Sequence, residues 1–95
     1  MKPQLLSKKQ IISELQKLNN WKLVEKEILK TFEHRDFVQA MGFVNSVAIL
    51  AEKYDHHPDI DIRWNKVTLT LSTHSAGGLT EKDFSLAKEM ENISH

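Results

Sequence analysis

The stretch Pro58-Asp59-Ile60-Asp61-Ile62-Arg63-Trp64-Asn65-Lys66-Val67-Thr68-Leu69-Thr70-Leu71-Ser72 decides how this chain folds. Ile60, Ile62 and Trp64 alternate with Asp59, Asp61 and Arg63, and Val67, Leu69 and Leu71 alternate with Thr68, Thr70 and Ser72. A period of two sends successive side chains to opposite faces, so each half reads as a strand with an apolar and a polar side. Asn65-Lys66 joins the halves, which predicts an antiparallel hairpin, although the connection lacks the glycine of a favoured two-residue turn. On the same parity Trp64 joins Ile60 and Ile62 and is expected in the core.

Upstream the period changes to that of a helix. Phe37, Ala40, Met41, Val44, Val47, Ala48, Leu50, Ala51 and Tyr54 recur three or four apart, with Asp36 as the cap and Pro58 as the limit. The apolar face is wide enough to cover both a sheet and a partner subunit. Before it, Trp21, Leu23, Ile28 and Phe32 are interrupted by Glu25-Lys26-Glu27, which predicts two short strands and a turn. Ser7 and Gln10 have capping-box spacing ahead of Ile11, Ile12, Leu15 and Leu18, and Asn19-Asn20 ends that first helix. Downstream, Gly77-Gly78 breaks the chain and Thr80 with Asp83 opens a third helix carrying Phe84, Leu86, Ala87, Met90 and Ile93. The order αββαββα predicts an α+β domain, a four-stranded antiparallel sheet with three helices packed on one face. The other face is then either solvated or one wall of a ligand cleft built with Thr and Ser side chains.

With 95 residues, 40% hydrophobic and 27% charged, the chain has room for one domain, here spanning residues 1–95, and the composition of a globular one. Thirteen basic residues balance thirteen acidic ones, which removes the general electrostatic reason to bind nucleic acid or an anionic membrane. Cysteine is absent, so disulfides, thiolate nucleophiles and cysteine-ligated zinc are excluded together. The first nine residues hold only two apolar residues in a row, and no run approaches membrane-spanning length. A soluble, cytoplasmic protein is the expectation.

Three of the five histidines flank the hairpin: His56 and His57 precede it and His74 follows it. In an antiparallel hairpin the residues just before the first strand and just after the second lie at the same end of the sheet, and both groups stand about eight or nine residues from the turn. One such histidine reads as a polar loop residue. Three that converge suit general acid-base work, because imidazole exchanges protons near neutral pH. Zinc is the competing reading, but adjacent histidines project in different directions and the helical two-histidine motif is missing, so no metal ligand is assigned. Glu52 lies four residues before His56 and would share its face if the helix reached that far. Asp83 reads as a helix cap with a favourable dipole interaction, and a further role at the site needs other evidence.

Glu52-Lys53-Tyr54-Asp55-His56-His57-Pro58, Trp64, Thr73-His74 and Gly78-Leu79-Thr80-Glu81-Lys82-Asp83 together resemble the signature of the pterin-4a-carbinolamine dehydratases. The match keeps the elements in order from the acidic residue through His-His-Pro to the final aspartate. The resemblance implies an αββαββα subunit, assembled as a homodimer or homotetramer, that needs no metal or organic cofactor. It implies a 4a-hydroxytetrahydropterin substrate left by aromatic amino-acid hydroxylases such as phenylalanine hydroxylase, with quinonoid dihydropterin and water as products. Carried over by position, His56, His57 and His74 are catalytic. Of these, His56 and His74 are the general acids, and His57 binds the pterin and is the candidate base. Pro58, Thr73, Ser75 and Ala76 line the pterin, and Glu52 and Asp83 support the histidines. Some proteins that this chain resembles also serve as dimerization cofactors of a homeodomain transcription factor through the second helix, and a different pterin is a further alternative substrate.

Overall fold

In a computed structural model that describes residues 4–94, the chain runs α1 (Lys8–Leu15), β1 (Lys22–Val24), β2 (Glu27–Glu33), α2 (Phe37–Lys53), β3 (Asp59–Arg63), β4 (Lys66–Leu71), a 3₁₀ turn (His74–Ala76) and α3 (Glu81–Ile93). Residues 1–3, which begin the weakly apolar N-terminal stretch, lie outside the described residues. The four strands form one antiparallel sheet, as expected, in the order β1-β2-β4-β3. No helix among the described residues is long and apolar enough to cross a membrane.

Parity sorts the two faces. Ile28 and Phe32 of β2 stand beside Leu71 and Val67 of β4, and with Leu69 they are buried against Ala40, Phe43 and Val47 of α2 and Phe84, Leu86, Ala87 and Met90 of α3. Leu6, Ile11 and Leu15 close the same side from the N-terminus. Each fully buried side chain of this size contributes about 1.5–3 kcal/mol through removal from water. On the opposite face, Leu29, Thr70 and Asp59 form one row, and Thr31, Thr68 and Asp61 form another. The hydroxyls of Thr31 and Thr68 meet at 2.8 Å. This face is left open by the helices.

Three local expectations change. The β3–β4 turn is Trp64-Asn65 rather than Asn65-Lys66, since Arg63 already pairs with Lys66. Trp64 takes φ = 52° at the first turn position, so strand parity stops one residue before it and its side chain is 67% exposed instead of in the core. The turn is held from the other side, where the Asn65 carbonyl accepts from the His34 amide at 2.8 Å and the Asn65 side chain donates to the His34 carbonyl at 2.8 Å. Helix α1 ends at Leu15, and Leu18 reaches the core from the loop beyond it.

Candidate active site

The site begins with how α3 starts. Thr80 is its N-cap and Asp83 its third helical residue, so the Asp83 carboxylate folds back to accept the Thr80 amide at 2.9 Å, and the Thr80 hydroxyl accepts from the Lys82 amide. Asp83 is completely buried. The oxygen that caps the helix also accepts from the Thr73 hydroxyl at 2.8 Å, while the other oxygen accepts from His56 Nε2 at 2.6 Å. Because Thr73 gives its proton to the carboxylate, the 2.8 Å contact between the Thr73 and Thr80 hydroxyls must be donated by Thr80. A buried carboxylate with three donors is fully satisfied, which is what makes its burial tolerable. With an ionised Asp83 accepting at Nε2, the His56 proton sits on Nε2, and Nδ1 is the ring nitrogen left for exchange.

The β4 register explains why His56 and Thr73 share one carboxylate. Asp59 stands across from Thr70. Continuing that register by three residues sets His56 across from Thr73, on the helix-covered face. The neighbouring His57 then falls across from Ser72 on the open face, and its side chain is 58% exposed. Its Nε2 meets Glu52, itself 79% exposed, at 2.5 Å. Glu52 was expected beside His56. Helix α2 instead ends at Lys53, and Asp55 takes φ = 49°, which reverses the chain before His56 and turns that ring inward to Asp83.

His74 opens the 3₁₀ turn. That turn is closed at its base by a bridge between Thr73 and Gly78, and Gly77 supplies the left-handed residue that completes it, φ = 78°. His74 is exposed and lines a cavity of ≈ 720 Å³ with Ser72, Gly77 and the β1–β2 turn residues Glu25, Lys26 and Glu27. Neither His56 nor His57 lines this cavity; they approach the end of β4 from the β3 side. Another cavity, ≈ 500 Å³, lies between the N-terminal segment and the start of α3 and carries no histidine. Among the described residues, no three histidine, aspartate or glutamate side chains are grouped closely enough to hold a metal ion.

A sequence model of the family described as pterin 4 alpha carbinolamine dehydratase matches residues 4–93. The chain belongs to the pterin-4a-carbinolamine dehydratase family. A Roseiflexus protein named for the same dehydratase is 53% identical over 88 residues, covering 93% of this chain and 95% of that protein. One from Acidobacterium capsulatum is 56% identical over 88 residues, covering 93% and 96%. The crystal structure of a transcriptional coactivator/pterin dehydratase from Brucella melitensis matches with a TM-score of 0.91 at 37% identity, over 95% of this chain and 98% of that one. A pterin dehydratase-like protein identified as a RuBisCO assembly factor in the alpha-carboxysome shares the fold, with a TM-score of 0.68 at 22% identity over 81% and 95%.

In this dehydratase-family chain, the expected site residues fall into three groups. His56, Thr73 and Asp83 are one buried unit, His57 and Glu52 are one exposed pair, and His74 stands on the cavity wall. Pro58 is half-buried at the entry to β3, and Ser75 and Ala76 are in the turn that carries His74. The Thr73 hydroxyl goes to Asp83, its amide to the Gly78 carbonyl, and its own carbonyl accepts from Ala76, Gly77 and Gly78. Two features of the site's surroundings escaped sequence reading: the hydroxyl contact of Thr80 with Thr73, and the Glu25-Lys26-Glu27 turn, whose place on the cavity wall depends on the pairing of β2 with β4.

Proposed function

We propose that this chain dehydrates a 4a-hydroxytetrahydropterin to the quinonoid dihydropterin, recycling the pterin used by aromatic amino-acid hydroxylases. The observation that carries the reading is the buried Asp83 carboxylate fixed on His56 Nε2 beside the cavity that holds His74, in a chain of the pterin dehydratase family. In the reaction the C4a–O bond breaks as its oxygen takes a proton and departs as water. The electron pair of the adjacent N5–H bond becomes the C4a=N5 double bond, and that proton passes to a base. His56 through Nδ1 and His74 are the acids of this scheme, and His57, held at Nε2 by Glu52, is the base. Each positioned transfer is worth about 10²- to 10⁴-fold in rate. Pro58 shapes the pocket, and Ser75 and Ala76 offer polar contacts to the pterin ring.

A homo-oligomer belongs to the same reading. Phe37, Val38 and Ile49 are exposed on α2, and Ile60, Ile62 and Trp64 are exposed at the free edge of the sheet, so apolar surface is available for a second copy. The same α2 face favours a second reading, a protein-interaction module, because the Brucella melitensis relative is named a transcriptional coactivator as well as a pterin dehydratase. Mass determination after co-purification separates the two: a pure homo-oligomer supports the enzyme alone, and a stoichiometric hetero-partner supports the module. The catalytic test is a coupled phenylalanine hydroxylase assay, in which added protein prevents accumulation of the carbinolamine. His57→Ala and His74→Ala are each expected to slow dehydration at least about 10²-fold with the fold intact, and unchanged rates in both would sink the proposal.

A further inference from the structure

The cavity that holds His74 has a second wall, and that wall carries charge. Glu27 begins β2, and β2 pairs with β4 from Ile28↔Leu71 onward. Extending this register by one residue sets Glu27 across from Ser72, in the row that His57 joins from the other side. Neighbouring strands stand about 4.8 Å apart, so Glu27 and His57 bracket Ser72 across a gap of about 10 Å on the open face. Glu25 and Lys26 continue the wall past His74. Glu25 and Lys26 are exposed and Glu27 is half-buried, and neither glutamate has a salt-bridge partner among the described residues. Two carboxylates against one ammonium leave the wall one negative charge. On the far side of the row stands the further carboxylate Glu52, on His57.

We propose that the β1–β2 turn is the specificity wall of this cavity: Glu25 and Glu27 favour a pterin whose ring substituent is an uncharged, hydroxyl-bearing chain over one whose substituent ends in a carboxylate or phosphate. The proposal rests on the dehydratase reading of the same cavity. Carboxylates only accept hydrogen bonds, so they match the donors of a hydroxylated chain and have nothing to offer an anionic tail. Repulsion across this distance, screened by salt, is worth about two- to fivefold in affinity per carboxylate. Lys26 opposes it from the same turn.

The experiment compares two synthetic carbinolamines that differ only in the ring substituent, one hydroxyalkyl and one carboxylate-terminated. With Lys26 offsetting one carboxylate, the wild type is expected to favour the hydroxyalkyl substrate by about two- to fivefold in kcat/KM. Glu25→Gln with Glu27→Gln should move the ratio about tenfold toward the anionic substrate by lowering its KM, which abolishes or reverses the preference, and Lys26→Gln should widen the preference to about tenfold. About 0.5 M salt should narrow the wild-type preference without any substitution, so a misfolded variant does not remove the test. A preference that neither salt nor the substitutions move overturns the proposal. Failure of the wild type to turn over either substrate overturns the dehydratase reading instead. The dissociation constants of the two oxidised pterins then decide the wall: the same charge-dependent preference upholds it, and equal affinities or no binding overturn it.

Discussion

The molecule builds the same chemical pair twice and supports it differently each time. His56–Asp83 and His57–Glu52 are imidazole–carboxylate contacts of nearly equal length, 2.6 and 2.5 Å. The first pair is 11% and 0% exposed, and the second is 58% and 79% exposed. Asp83 is held by a helix cap and a threonine hydroxyl, so the orientation of His56 is fixed before anything binds. Glu52 projects from the last turn of α2 with no other side-chain hydrogen bond among the described residues, so His57 keeps rotamer freedom. Length measures neither the strength nor the purpose of such a contact; the surroundings do.

The largest effect should come from breaking the buried pair. Asp83→Ala leaves His56, Thr73 and the Thr80 amide without their acceptor, and a loss of about 3 kcal/mol in urea unfolding is expected. Asp83→Asn keeps the shape but presents an amide to Nε2, which disturbs the tautomer; dehydration should fall about 10²-fold or more while a near-native far-UV spectrum is retained. Thr73→Val is the next step down. It removes one donor to Asp83 and the acceptor for Thr80, at about 1–2 kcal/mol by denaturant titration.

A histidine with no carboxylate calibrates the comparison. His34 is buried against Phe43 with ring centroids 4.8 Å apart, its Nε2 has no partner among the described residues, and burial lowers its pKa from 6.5. The unfolded chain therefore takes up a proton near pH 6.5 where the folded protein does not. The contribution is complete above that pH and is lost as pH falls through and below it. His34→Gln should flatten this part of the stability–pH profile, measured by denaturation midpoints. The smallest effect is expected from Glu52→Gln, within about 0.5 kcal/mol in stability and a few-fold in rate, with the rate effect shrinking in high salt. A loss at Glu52 as large as that at Asp83 would erase the distinction between the two pairs.

The sequence made the elements legible because each of them repeats a pattern. The β4 alternation and the α2 spacing each extend over several residues, and Ser7-Gln10 and Thr80-Asp83 mark helix starts by a fixed interval. The errors sit at single residues where a pattern ends. Trp64 and Asp55 have positive φ, a backbone choice that periodicity does not encode, and each redirects the chain at that point. The first sends an aromatic side chain into solvent, and the second turns His56 to Asp83 and leaves Glu52 to His57. The Thr73–Thr80 contact and the Glu25–Glu27 wall depend on how separate elements meet, and one-dimensional spacing is silent on that.

Asp83 closes the first turn of α3 and holds the His56 ring with the same carboxylate. Helix ends are where local opening begins, so a fraying event that releases the Thr80 amide also releases the imidazole. Amide exchange in that turn and loss of dehydration under mild denaturant should then rise together, well before the sheet unfolds. On the dehydratase reading, activity would fall silent by loosening one helical turn, with the core still intact.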